Sequence, residues 1–126
     1  MNGKKNIIEL NNNVENKNKL LLDLEIVLII ITLISFFTLV LLIGTITMPL
    51  KLKVILGIIA SLILVIGVIY SIKIEQIAGY YKCSKCNHKY IPTYKGVFFA
   101  MHIGRTRYMK CPKCNNRSWN KKVTTK

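Results

Sequence analysis

The sequence predicts a membrane α-helical hairpin (two transmembrane helices) followed by a small β-rich four-cysteine zinc ribbon. Three observations predict it. Two long uncharged apolar runs, residues 26–47 and 54–72, are joined by a short connection containing Pro49, Lys51 and Lys53. All four cysteines fall in two CxxC pairs, Cys83/Cys86 and Cys111/Cys114, with 24 residues between the pairs. The charge is also split. Residues 1–78 hold seven Lys against five acids, a net +2, whereas residues 79–126 hold nine Lys, three Arg and no acid, a net +12.

Residues 1–25 are polar and include seven Asn. Ile7, Leu10, Val14, Leu21 and Leu24 follow a broken a/d-like spacing, compatible with an amphipathic helix or a weak self-association seam. The triple Asn at 11–13 is poor helix material, so the expectation is a partly ordered cytosolic tail.

Residues 26–47 form an uncharged run of 22 residues. As a helix it is about 33 Å long, enough for a hydrocarbon core of ~30 Å. Its Thr and Ser hydroxyls are tolerable because they can bond back to helix carbonyls. The run exceeds an ordinary signal-peptide core and no small-residue cleavage pattern follows, so a membrane span is expected rather than a signal peptide. Pro49 stops the first helix, and Lys51 and Lys53 belong at head groups or in water. Residues 54–72 are a second span of 19 residues, about 28 Å long as a helix.

Gly57/Ser61 and Gly67/Ser71 are small-xxx-small pairs on the second run, with Ala60 nearby. Such faces let helices approach closely. Packing on the first span of the same chain is the preferred reading, and a homodimer is the other. Neither run contains an ionisable residue, which argues against an ion or proton path. Lys73, Lys82, Lys85 and Lys89 follow the second span, four Lys precede the first, and only two lie in the connection. The positive-inside bias places both termini in the cytoplasm of a multi-pass protein of the cell membrane. Cytoplasmic thiols stay reduced, which favours metal ligation over disulfides.

Residues 73–78 continue the second helix out of the bilayer, and Gly79 is a natural helix stop. This divides the chain into a tail at 1–25, a hairpin at 26–78 and a ribbon at 79–126. A ribbon of 48 residues can hardly bury a sufficient core unaided, and a structural Zn²⁺ fills that gap. Lys82-Cys83-Ser84-Lys85-Cys86-Asn87 matches Lys110-Cys111-Pro112-Lys113-Cys114-Asn115 at five of six positions. Two such knuckles facing one ion make Cys83, Cys86, Cys111 and Cys114 the metal ligands. After the second Cys of a knuckle the backbone often turns left-handed, and Asn is tolerated there next after Gly. His88 and His102 are not needed as ligands. A closed four-thiolate site has no open position, and the ribbon has no carboxylate to act as a base, so no catalytic residues and no enzyme activity are expected.

Between the knuckles, residues 89–93 read as a strand, Lys95-Gly96 as a turn, and the apolar residues 97–103 as the ribbon's small core. A sharper alternative makes 97–103 an interfacial wedge on the bilayer. Residues 105–110 and 117–121 read as strands entering and leaving the second knuckle.

The residues of this region resemble a group of small bacterial membrane proteins with two hydrophobic spans and a C-terminal zinc ribbon. The shared form is Y-x-C-x-x-C, R-Y-x-K-C-P-x-C and S-W-x-K-K, here at residues 81–86, 107–114 and 118–122. Met101-His102 lies in a short apolar segment of the same kind. The resemblance covers about the last 45 residues plus the hairpin. It implies fold and membrane topology, and no mechanism. Residues 81–90 also look like the first knuckle of rubredoxins, iron electron carriers. Those are typically acidic and soluble with Gly after each second Cys, and this chain departs on all three points.

A tail of +12 will be drawn to polyanions. The preferred function is a non-enzymatic, membrane-anchored adaptor whose basic domain contacts anionic lipid head groups or a protein of a membrane complex. A nucleic-acid reading stays open: Arg105, Arg107, Arg117, Lys121 and Lys122, with Trp119, offer cations and a stacking surface. A rubredoxin-like iron carrier is the remaining alternative.

Overall fold

A computed structural model describes residues 2–126. Two long helices come first: α1, Asn2–Thr45, and α2, Leu50–Ile77. Both are long and apolar enough to cross a membrane. The expected partly ordered tail is instead the first half of α1. A helix is costly to nucleate and cheap to extend, so the apolar half carries the weaker Asn-rich half with it. The i,i+4 pair Glu15–Lys19, at 2.6 Å, supports that extension. The break between the helices falls at residues 46–49, ending on Pro49.

The chain divides into two compact units: residues up to Asp23 together with Ile72–Lys126, and Leu24–Ser71. In the Leu24–Ser71 unit the two helices meet at Gly67. A Cβ there would lie 2.4 Å from Cγ2 and Oγ1 of Thr32, so only Gly permits this approach. Thr32 escapes a polar penalty by donating its hydroxyl to the Leu28 carbonyl at 2.7 Å. Thr38, Thr45 and Ser61 bond back to their own helix carbonyls in the same way. Ala60 and Ser71 are buried, whereas a Cβ at Gly57 would meet nothing within 4 Å. Of the two small-residue pairs, Gly67/Ser71 therefore packs within the chain. Most other apolar side chains are exposed, Phe37, Leu41, Ile58 and Leu62 by more than half.

The other unit holds a five-stranded antiparallel sheet of order β2-β1-β5-β4-β3. Its strands are β1 (Tyr80–Lys82), β2 (Lys89–Tyr90), β3 (His102–Ile103), β4 (Thr106–Lys110) and β5 (Arg117–Val123). A short helix, α3 (Tyr94–Phe98), lies between β2 and β3. Gly79 adopts φ +90° between α2 and β1, where a Cβ would sit 2.4 Å from the Val123 carbonyl oxygen. The small core is Tyr81, Val97 and Met109, with Ile72, Tyr90 and Ala100 packed against it.

The middle of this unit differs from the sequence reading. The strand expected at 89–93 stops at Tyr90, because Thr93 becomes the N-cap of α3. Its hydroxyl accepts from the Gly96 amide at 3.3 Å, which places Lys95 and Gly96 inside a helical turn. The apolar residues 97–103 do not form the core as a block. Helical spacing directs Val97 and Ala100 inward, three residues apart, and leaves Phe98, Phe99, Met101 and Ile103 exposed.

Candidate metal centre

Each CxxC pair sits in a knuckle, and the two knuckles are built alike. The amide of Asn87 donates to the Cys83 carbonyl (3.1 Å) and that of Asn115 to the Cys111 carbonyl (3.0 Å). The amide of Cys83 donates to the His88 carbonyl (2.9 Å) and that of Cys111 to the Asn116 carbonyl (3.0 Å). Closing these turns requires a left-handed residue, and Asn87 and Asn115 supply it at φ 56° and 57°. The internal repeat in sequence is thus a repeat in backbone geometry.

The four sulfurs lie within 4.8 Å of one another. Cys83 Sγ is 3.8 Å from Cys114 Sγ, and Cys86 Sγ is 3.6 Å from Cys111 Sγ. A disulfide needs about 2.05 Å, so these are free thiols. Four sulfurs at ~2.3 Å from a tetrahedral ion are about 3.8 Å apart. The cluster therefore fits a metal ion held by four thiolates, such as tetrahedral Zn²⁺ or iron. Bound there, the ion would supply a cross-link between residues far apart in sequence, and folding free energy with it.

The surrounding groups favour unequal thiols. The Cys86 amide, then the Ser118 hydroxyl 3.5 Å away, bring Cys83 down to about 6. The His88 amide acts on Cys86 in the same direction. Burial and hydrogens shared with Cys111, Cys114 and Cys83 outweigh it, and Cys86 is pushed up to about 11. Burial, then the charge of the cysteines, pushes Tyr90 up to about 12. Neither histidine belongs to the cluster: His88 stacks on Tyr90 with centroids 6.1 Å apart, and His102 is exposed on β3.

A second cluster ties α2 to the sheet. Glu75 is buried and pairs through both carboxylate oxygens with Arg107, Oε1 accepting from Nε at 3.1 Å and Oε2 from Nη2. The Tyr81 hydroxyl donates to Glu75 Oε1 at 2.7 Å. Arg107 Nη1 donates to the Val97 carbonyl at 2.8 Å, and Lys122 Nζ donates to the Glu75 carbonyl. Lys122 also lies over the Tyr81 ring, 4.4 Å from its centroid. Burial alone would raise the Glu75 carboxyl. The bonds from Arg107 and Tyr81 and the nearby positive charge outweigh it and hold the group below the usual carboxylate range. Burial, then the bond to Glu75, pushes Tyr81 far above the ordinary phenol value. For Arg107 the Glu75 contact outweighs the desolvation that would lower it, and the guanidinium stays charged.

Strand parity decides where the basic residues go. Along β4 and β5 the buried side chains are Arg107, Met109, Ser118, Asn120 and Lys122. The alternate ones, Tyr108, Lys110, Arg117, Trp119 and Lys121, face outward. Arg107 and Lys122, expected on an anion-binding surface, are therefore committed to Glu75 inside the fold. Arg105 donates to the Leu22 carbonyl at 3.3 Å. Arg117, Lys121 and Trp119 are exposed on one face, where Trp119 and Tyr108 are direct cross-strand partners with centroids 5.4 Å apart.

Glu75 and Asn120 were given no role in the sequence reading, and Ser118 entered it only through the S-W-x-K-K motif. Asn120 donates to the Met109 and Ser118 carbonyls, at 2.9 and 3.1 Å, beneath the second knuckle. The signal for Ser118 and Asn120 was the alternation of 117–122. For Glu75 it was the position of the chain's last acid, just beyond the second apolar run.

Comparison of the chain with protein families, with curated proteins and with solved structures found no match.

Proposed function

We propose that this chain is a membrane-anchored zinc module that acts by binding rather than by catalysis. The observation that carries this is the cluster of four sulfurs, all within 4.8 Å of one another, in a small, strongly basic domain that follows two apolar helices in the chain. Zn²⁺ suits a closed thiolate set in a reducing compartment, and four thiolates leave no position for substrate. The apolar side chains exposed along residues 26–72 are expensive in water, and a bilayer removes that cost. Lys residues flanking the runs favour cytoplasmic termini, which keeps the thiols reduced. The basic domain then serves as an adaptor for an acidic partner at the membrane surface. Alkaline extraction of membranes tests the anchor: the chain is expected to stay with the lipid, and its release would refute the reading. A thiol reagent that cannot cross membranes is expected to leave the cysteines of intact cells unlabelled.

One observation favours a second reading. The outward face of β4 and β5 places Tyr108 and Trp119 side by side among Lys110, Arg117 and Lys121, a surface that suits single-stranded nucleic acid. Salt-sensitive binding to single-stranded RNA that is lost in Trp119→Ala would promote it.

A further inference from the structure

The exposed apolar residues around α3 belong to a segment fixed at a definite point along α2. Ile72, the last residue of the uncharged run, packs on the core formed by Tyr81, Val97 and Met109, and Ala100 packs on that same core. One turn further on, Gln76 donates its side-chain amide to the Pro92 carbonyl at 2.9 Å. Arg107, held by Glu75, donates to the Val97 carbonyl. The peptide entering α3, at Pro92, and α3 itself, at Val97, are thus tied to the stretch of α2 that leaves the apolar run, directly and through Arg107.

From this tethered segment Phe99, Met101 and Ile103 stand out at 81, 73 and 71% exposure, with Ile91 and Phe98 also exposed. Phe98 and Phe99 lie edge to face at 5.0 Å, so the tip presents a joined aromatic surface. Lys95 is exposed on α3 itself, and residues 79–126 contain no carboxylate side chain to repel an anionic surface. Aromatic and aliphatic side chains beside cations are the composition of an interfacial contact, where the apolar face sinks ~5–10 Å into the head-group boundary.

We infer that the tip formed by Ile91, Phe98, Phe99, Met101 and Ile103 inserts into the interface of the anionic leaflet beside the second span. The occupant of this surface is lipid. The inference rests on residues 54–72 spanning the bilayer. Given that, the Ile72 and Gln76 contacts set the tip at the depth where the span emerges.

The test uses the full metal-loaded chain in vesicles of phosphatidylcholine and phosphatidylglycerol, with single tryptophans placed in a Trp119→Phe background. Phe99→Trp reports the tip, and Ile63→Trp reports the span. Phe99 is exposed, so the indole is accommodated without repacking. With bromines on the acyl chains, near the head groups to reach Phe99→Trp and near the chain ends to reach Ile63→Trp at mid-span, the Phe99→Trp emission is expected to fall by about half or more, as an interfacial depth of ~5–10 Å requires. Quenching of Ile63→Trp without quenching of Phe99→Trp overturns the inference, leaves the anchor standing and points to a protein on the tip. Absence of quenching at both positions removes the anchor, and the inference with it.

Discussion

The carboxylate of Glu75, near the end of α2, is buried against the guanidinium of Arg107 on β4, 32 residues further along the chain. It joins a helix that leaves an apolar run to the sheet that carries the cysteines. Breaking a buried pair by removing one partner leaves the other charge uncompensated and costs about 3–5 kcal/mol. Glu75→Ala is expected to destabilise the sheet by that amount. The measurement is denaturant unfolding followed by the emission of Trp119, the only tryptophan. Replacing both partners, Glu75→Leu with Arg107→Leu, is expected to recover part of the loss, because the guanidinium is no longer left uncompensated while Lys122 keeps its bond to the backbone carbonyl of residue 75.

The same pair gives a pH dependence of known sign. The folded-state value of Glu75 is lowered from 4.5. Its stabilising contribution is therefore complete above the ordinary carboxylate range and is lost as pH falls through the lowered value. The stability difference between wild type and Glu75→Gln is expected to be flat from about pH 6 to 8 and to shrink below the ordinary carboxylate value of about 4.3. Acid also strips metal from thiolates, but it does so in both proteins, so the difference between them isolates the carboxylate. A difference that grows in acid would contradict the assignment.

At the knuckles, Asn87 and Asn115 occupy left-handed backbone. Asn87→Gly is expected to leave metal affinity unchanged, whereas Asn87→Val is expected to weaken it by at least about 1 kcal/mol, roughly fivefold. Asn115 is expected to behave in the same way. Competition against a chromophoric chelator measures both. Equal affinities for the Gly and Val variants would mean that the turns do not require left-handed backbone.

Gly67 and Gly57 separate two roles for small residues on α2. Gly67→Val would drive a side chain into Thr32 and is expected to cost about 1–3 kcal/mol. Gly57→Val meets open space and is expected to fall within about 0.5 kcal/mol of wild type. Thermal unfolding in detergent distinguishes them, and equal losses would contradict the packing.

What was legible in the sequence was local. Two uncharged runs around Pro49 gave the helices, and Gly79 marked where α2 gives way to β1. The repeated knuckles, each followed by Asn, gave the four sulfurs and both left-handed turns. What was not legible depended on parity or on distance. Residues 2–25 look marginal alone and are helical because the apolar half of α1 nucleates them. Thr93 capping converts an expected strand and turn into α3, and that single turn exposes half of an apolar segment that reads as core. Arg107 and Lys122 read as surface cations because their partner, Glu75, lies outside the ribbon sequence. Only the register of β4 and β5 turns them inward while leaving Arg117 and Lys121 outside.

X-ray absorption on the purified chain tests the central claim most directly. The account predicts one zinc per chain with a single shell of four sulfurs at about 2.3 Å. Iron in place of zinc, nitrogen or oxygen in the first shell, or a metal-free chain that keeps its sheet in chelator would contradict it.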